Sequence, residues 1–208
     1  MKYLTDYKSI VIVGGWNKHI FNPEWVKQYL FPKEDFKMEI PMNVDGSPRF
    51  STKKYRVSVE LNKLCFFNIS KKDSDLDYIQ ELALKIADYL PHTPVISFGF
   101  NFLFEETENA EKIDELMKCN YTRLLDENDL TNRSVTEIKN SLEIDNYNLN
   151  FIVRRDSERY VFDFNYHFNI KKLTDFKEKI SEYSILAAKK KSLEIISNVF
   201  DLELKDEK

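Results

Sequence analysis

The segment Leu90–Glu105, LPHTPVISFGFNFLFE, constrains the fold more than any other stretch of the chain. Pro91 and Pro94 each lack a backbone donor and push the preceding residue out of the helical region, so a helix must end here. The residues after Pro94 alternate: Ile96, Phe98, Phe100, Phe102 and Phe104 on one side, Ser97, Gly99 and Asn101 on the other. In a strand these are opposite faces, one built for burial and one small and polar. A second stretch repeats the pattern. Tyr160, Phe162, Phe164, Tyr166 and Phe168 alternate with Val161, Asp163, Asn165, His167 and Asn169. Two aromatic-faced strands are enough to organise a core.

Elsewhere the chain supplies further strands and the helices to cover them. Ser9–Val13 reads as a buried strand stopped by Gly14 and Gly15. Asn22 then caps a short helix, with Pro23 at its first position and Glu24 in its first turn. Strands are expected near Phe36–Met42, Phe50–Glu60 and Lys63–Ile69, with a turn at Asp45-Gly46-Ser47-Pro48. Leu76, Ile79, Leu82, Ala83, Ile86 and Leu90 recur at helical spacing, with Ser74 and Asp77 as a capping pair. In the second half, strands near Ser134–Ile144, Tyr147–Arg155 and Arg159–Ile170 lead to one long helix from Thr174 to Phe200, with a kink or a change of packing partner near Lys189-Lys190-Lys191.

The expected fold class is therefore α+β, a mainly antiparallel sheet with helices on its aromatic face. The 208 residues suit one domain. Element order suggests two β-β-β-α halves, as lobes 1–105 and 133–208 joined by an acidic segment 106–132 that carries a short helix and a linker through Asp126–Asn132.

Charge and composition narrow the partners. A net charge of −4 argues against broad attraction to nucleic acid or an anionic membrane. No apolar run approaches the roughly 20 residues that span a bilayer, and MKYLTDYKSI has no apolar secretion-signal core. Cys65 and Cys119 lack metal-ligand spacing and read as reduced thiols of a cytoplasmic protein.

Two motifs carry a family resemblance. The GGWN…FNPEW opening (Gly14–Trp25) and LPHTPVISFGFNF (Leu90–Phe102) resemble a sporadically distributed, uncharacterised bacterial family. Its members place a helix ending in Leu-Pro before a strand with a Gly-x-Asn-Phe signature. The resemblance implies a bacterial cytoplasmic protein, and the sporadic distribution implies a multi-protein defence, toxin-immunity or phage-related system. It brings no activity and no catalytic residues.

Chemistry-bearing residues are few. No metal-protease, thiol-pair, serine-nucleophile or kinase signature occurs, and the paired glycines fit no phosphate-binding pattern. No catalytic residue, metal or cofactor is expected. Asp163, Asn165 and His167 share a strand face, with Asn101 on the polar face of the other alternating strand. Such a face is a solvated surface unless neighbouring strands add ligands, in which case Asp163 and His167 would serve a metal-dependent hydrolase or nuclease. Trp16, Asn17, His19 and Trp25 form a second group, either a binding anchor or a loop pinned to the core. Leu193, Ile196, Val199 and Phe200 form an apolar stripe on the distal part of the last helix, either the interface of a homodimer or a protein partner, which is the expected use, or the inner face of a kinked helix folding back on its own first half. The expected function is a non-enzymatic protein-interaction module.

Overall fold

The computed structural model describes residues 1–41, 46–117, 127, 135–156 and 159–205. A single antiparallel sheet runs through it. Its strands are β1 (Lys2–Tyr3), β2 (Tyr7–Gly14), β3 (Lys37–Glu39), β4 (Arg49–Ser51), β5 (Tyr55–Val59), β6 (Lys63–Asn68), β7 (Val95–Glu106), β8 (Val135–Ile144), β9 (Tyr147–Asp156) and β10 (Arg159–Asn169). They lie in the order β3-β4-β5-β6-β2-β7-β10-β9-β8, and β1 pairs with the end of β7. The α+β class is as the alternation required.

The two alternating segments are neighbours. β7 and β10 pair in a register that sets Phe162 against Phe104, Phe164 against Phe102, Tyr166 against Phe100 and Phe168 against Phe98. Because directly opposed residues share a face, the two aromatic stripes fuse into one apolar surface. Phe98 and Phe168 stack at 4.5 Å, and Phe151 of β9 stacks on Phe164 at 4.4 Å. This pairing joins the first and second halves of the chain through one sheet and one hydrophobic core.

Helices cover that surface. α1 (Pro23–Trp25) continues as a π-type turn, Val26–Leu30, and begins with Asn22 accepting from the Trp25 amide. α2 spans Asp73–Tyr89, α3 Ala110–Met117, α4 Leu173–Glu182 and α5 Ile185–Phe200. Leu76, Ile79, Leu82, Ala83 and Ile86 of α2 are all buried, so the helical stripe read from the sequence is the packed one.

Several expectations are corrected. The strand expected over Phe50–Glu60 is two, β4 and β5. The Thr52 hydroxyl accepts from the Lys54 and Tyr55 amides and turns the chain back between them. α2 starts before the expected Ser74 cap: Lys72 is its N-cap residue, and Asp73 and Asp75 supply the acidic first turn. Ile96 is 62% exposed at the entry to β7, so the aromatic stripe starts at Phe98. The final helix is two. It breaks at Tyr183–Ser184, well before the lysine run, and Ser184 caps α5 by accepting from the Ala187 amide. Met42, Asp45, the stretch Asp126–Asn132 apart from Glu127, and Cys119 lie outside the described residues.

The paired glycines have a physical reason. A Cβ on Gly14 would sit 2.4 Å from the Pro94 carbonyl oxygen, and Gly15 donates its amide to that same oxygen at 2.9 Å. Only a residue without a side chain lets the two backbones approach so closely. The GGWN and LPHTPVISFGFNF motifs are thus two sides of one contact.

Candidate interaction surface

The face of the sheet opposite the aromatic rings carries Asp163, Asn165 and His167, as alternation placed them. Register brings Asn101, Asn165, Asn150 and Ser141 into one row across β7, β10, β9 and β8. The row is a chain of hydrogen bonds. Ser141 Oγ donates to Asn150 Oδ1 at 2.8 Å, Asn150 Nδ2 to Asn165 Oδ1 at 2.9 Å, and Asn165 Nδ2 to Asn101 Oδ1 at 2.8 Å. Gly99 makes room for it, since a Cβ there would lie 2.8 Å from Asn165 Nδ2. The small polar pattern Ser97–Gly99–Asn101 therefore serves the cross-strand ladder.

Asp163 and His167 flank this row and are not brought together. Asp163 Oδ2 accepts from the Tyr7 hydroxyl at 3.2 Å, while His167 Nε2 meets Asn169 Oδ1 at 3.1 Å. Burial raises the Asp163 carboxyl above the usual aspartate range, against the lowering effect of the Tyr7 hydrogen bond and of Arg154. Among the described residues, no three His, Cys, Asp or Glu side chains are grouped to hold a metal ion. His167 lines a polar hollow of about 220 Å³ at the β8–β9 turn, with Asn148, Asn169 and Lys179.

The tryptophan group divides. Trp16 is buried and donates Nε1 to the Ile12 carbonyl, so it pins the loop after β2 to the core. Trp25 is half-buried among Phe21, Tyr29 and Tyr89. Asn17 and His19 are exposed, and the Asn17 side chain accepts from the His19 amide as a local turn. His19 lines an open groove of about 280 Å³ with Phe21, Met38 and Ile40, which neither Trp16 nor Trp25 lines.

The stripe on the last helix follows the fold-back alternative at Ile196 and Phe200. Ile196 is fully buried and Phe200 is 5% exposed, with Phe200 packed edge-on against Phe162 at 5.0 Å. Breaking the helix at Tyr183–Ser184 lets α5 fold over the sheet, so these side chains fill the chain's own core. Val199 stays exposed and Leu193 half-buried. Lys189, the first of the lysine run, also turns inward. Its ammonium lies 2.6 Å from Asp73 and 4.6 Å from the centre of the Tyr3 ring.

The most open part of the sheet is an edge that residue patterns did not single out. β8 pairs with β9 along its whole length, and no described strand pairs its other side. The opposite edge, β3, is three residues long, whereas β8 has ten. Glu137, Lys139, Asn140, Ser141, Leu142 and Glu143 are exposed, Leu142 by half of its surface. The one sequence signal was the interrupted alternation Ile138, Asn140, Leu142, Ile144, which is what an edge at the margin of a core carries. No protein-family model and no curated protein matches the chain.

Proposed function

We propose that the chain is a non-enzymatic protein-interaction module that engages its partner by strand addition at β8. The observation that carries this reading is the ten-residue edge, open on its outer side among the described residues. An unpaired edge presents a row of backbone donors and acceptors, and a partner strand satisfies them while alternate side chains give selectivity. The partner is a protein. The aromatic stripes of β7 and β10, which could otherwise stack on single-stranded nucleic acid, are in the core.

The setting is the one implied by the two resembling motifs: a bacterial cytoplasmic protein acting within a multi-protein defence, toxin-immunity or phage-related system. No described helix is long and apolar enough to cross a membrane. A metal-dependent hydrolase centred on Asp163 and His167 is the less favoured reading, because each side chain is engaged with Tyr7 or Asn169 and the amide row separates them.

The test is purification from the native host followed by amide hydrogen exchange on the purified assembly. A stoichiometric protein partner, another protein or a second copy, should slow exchange along Val135–Ile144. A partner that leaves β8 exchange unchanged, or divalent-metal binding abolished by both Asp163→Ala and His167→Ala, overturns the proposal.

A further inference from the structure

We infer that the partner at β8 is a second copy of this chain, paired antiparallel with Ser141 on the two-fold axis; this rests on the edge reading above. Backbone geometry restricts the choice. Alternate residues of an edge strand point their N–H and C=O groups outward, so a two-fold antiparallel pairing must match residues of the same alternation class. Facing side chains then share a face as well.

Few of the allowed registers match opposite charges. With Ser141 on the axis, Lys139 faces Glu143 of the partner twice, Ile138 faces Ile144 twice and Asn140 faces Leu142 twice. With Asn140 on the axis, Glu137 would face Glu143. With Lys139 on the axis, the two lysines would face each other. An axis at Ile138 pairs Glu137 with Lys139 but leaves Leu142 outside the shared strands. Within the residues of β8, the Ser141 register alone combines two opposite-charge pairs with cover for the half-exposed Leu142.

Charges on an edge strand ordinarily block pairing with other strands. Here Lys139 and Glu143 are exposed and make no ion pair among the described residues, so both are available across the axis. They turn a deterrent to general pairing into a selector for one register. On the core face Ile138 would meet Ile144 of the partner and Leu142 would lie against Asn140, extending the apolar margin of one subunit into that of the other.

The experiment is sedimentation equilibrium from low to high micromolar protein, with circular dichroism confirming that each variant is folded. The wild-type chain should show twice the chain mass at the upper concentrations. Lys139→Glu alone and Glu143→Lys alone should each sediment as monomers, and the double swap K139E/E143K should restore the dimer. A monomeric wild type overturns the second-copy inference and leaves strand addition by another protein standing. Slow β8 exchange in a monomer shows that the chain covers its own edge and overturns both readings. A dimer indifferent to Lys139→Glu places the interface elsewhere, one lost only with Lys139→Glu selects the Ile138 axis, and failure of the double swap removes the charge pairing. Each of these overturns the inference.

Discussion

Phe100 and Phe164 sit at the centre of the fused aromatic face, and neither is exposed at all. Phe100 packs edge-on against Phe98 and Phe168, and Phe164 stacks with Phe151. Truncation to alanine loses both transfer energy and close contacts. Phe100→Ala and Phe164→Ala should each destabilise by about 3–5 kcal/mol in denaturant unfolding. Losses below about 1 kcal/mol in both would reverse the assignment of the faces. Glu106 makes a different kind of contribution. Burial opposes its ionisation, but the Met1 ammonium at 2.8 Å and the amides of Glu108 and Asn109 hold its carboxyl down at about 2, below the ordinary 4.5. A carboxyl depressed on folding stabilises above its unfolded value and loses that stabilisation as pH falls toward its folded value. Unfolding free energy should therefore fall between about pH 4.5 and pH 2, by on the order of 2–3 kcal/mol from this group. Glu106→Gln should be less stable at neutral pH and flatter across that interval; an unchanged pH profile would remove Glu106 from the balance.

At the scale of elements, the break between α4 and α5 decides where the C-terminal apolar stripe goes. Helix ends leave orphan carbonyls and amides that need partners. Gln80 of α2 supplies them for both helices at once. Its Nε2 donates to the Ile180 and Tyr183 carbonyls at 2.6 and 2.9 Å, and its Oε1 accepts from the Ile185 amide at 2.7 Å. One side chain thus ends α4, starts α5 and ties both to α2. Gln80→Ala would leave these partly buried backbone groups unpaired. It should cost about 2–3 kcal/mol, with faster amide exchange at Tyr183–Ala187. Gln80→Glu keeps the acceptor for Ile185 but sets a carboxylate against two carbonyls, so it should be destabilising as well. Full stability in both variants would show that the break is held by other contacts.

For the whole molecule, the key fact is that β7 and β10 come from different halves and pair along nearly their full length. β2, β7, β10 and β9 then form the middle of one sheet beneath α2, α4 and α5, with a single connected core. The stripe of β7, from the first half, is covered by α4 and α5 of the second, so the two halves share one core. We therefore expect one cooperative transition in scanning calorimetry, with calorimetric and van't Hoff enthalpies equal. Two resolved transitions would mean that the lobes 1–105 and 133–208 fold independently.

Much of this was legible in the sequence because strand alternation is local. Period two placed Phe98–Phe104 and Tyr160–Phe168 on buried faces, and period 3.6 placed Leu76–Ile86 toward the core. The Asn22 cap, the proline stop after α2 and the buried Cys65, whose thiol burial pushes up to about 12, are equally local consequences of residue type. Long-range pairing carries no such signature. That Asn101, Asn165, Asn150 and Ser141 form one row depends on strand order and register between segments far apart in the chain. That α5 folds back, burying Ile196 and Phe200, goes with a break whose backbone groups meet Gln80, about a hundred residues away. That β8 is an edge depends only on which strands found other neighbours. Side-chain period reports what a residue's own backbone requires, whereas partner choice is settled by the packing of the whole sheet.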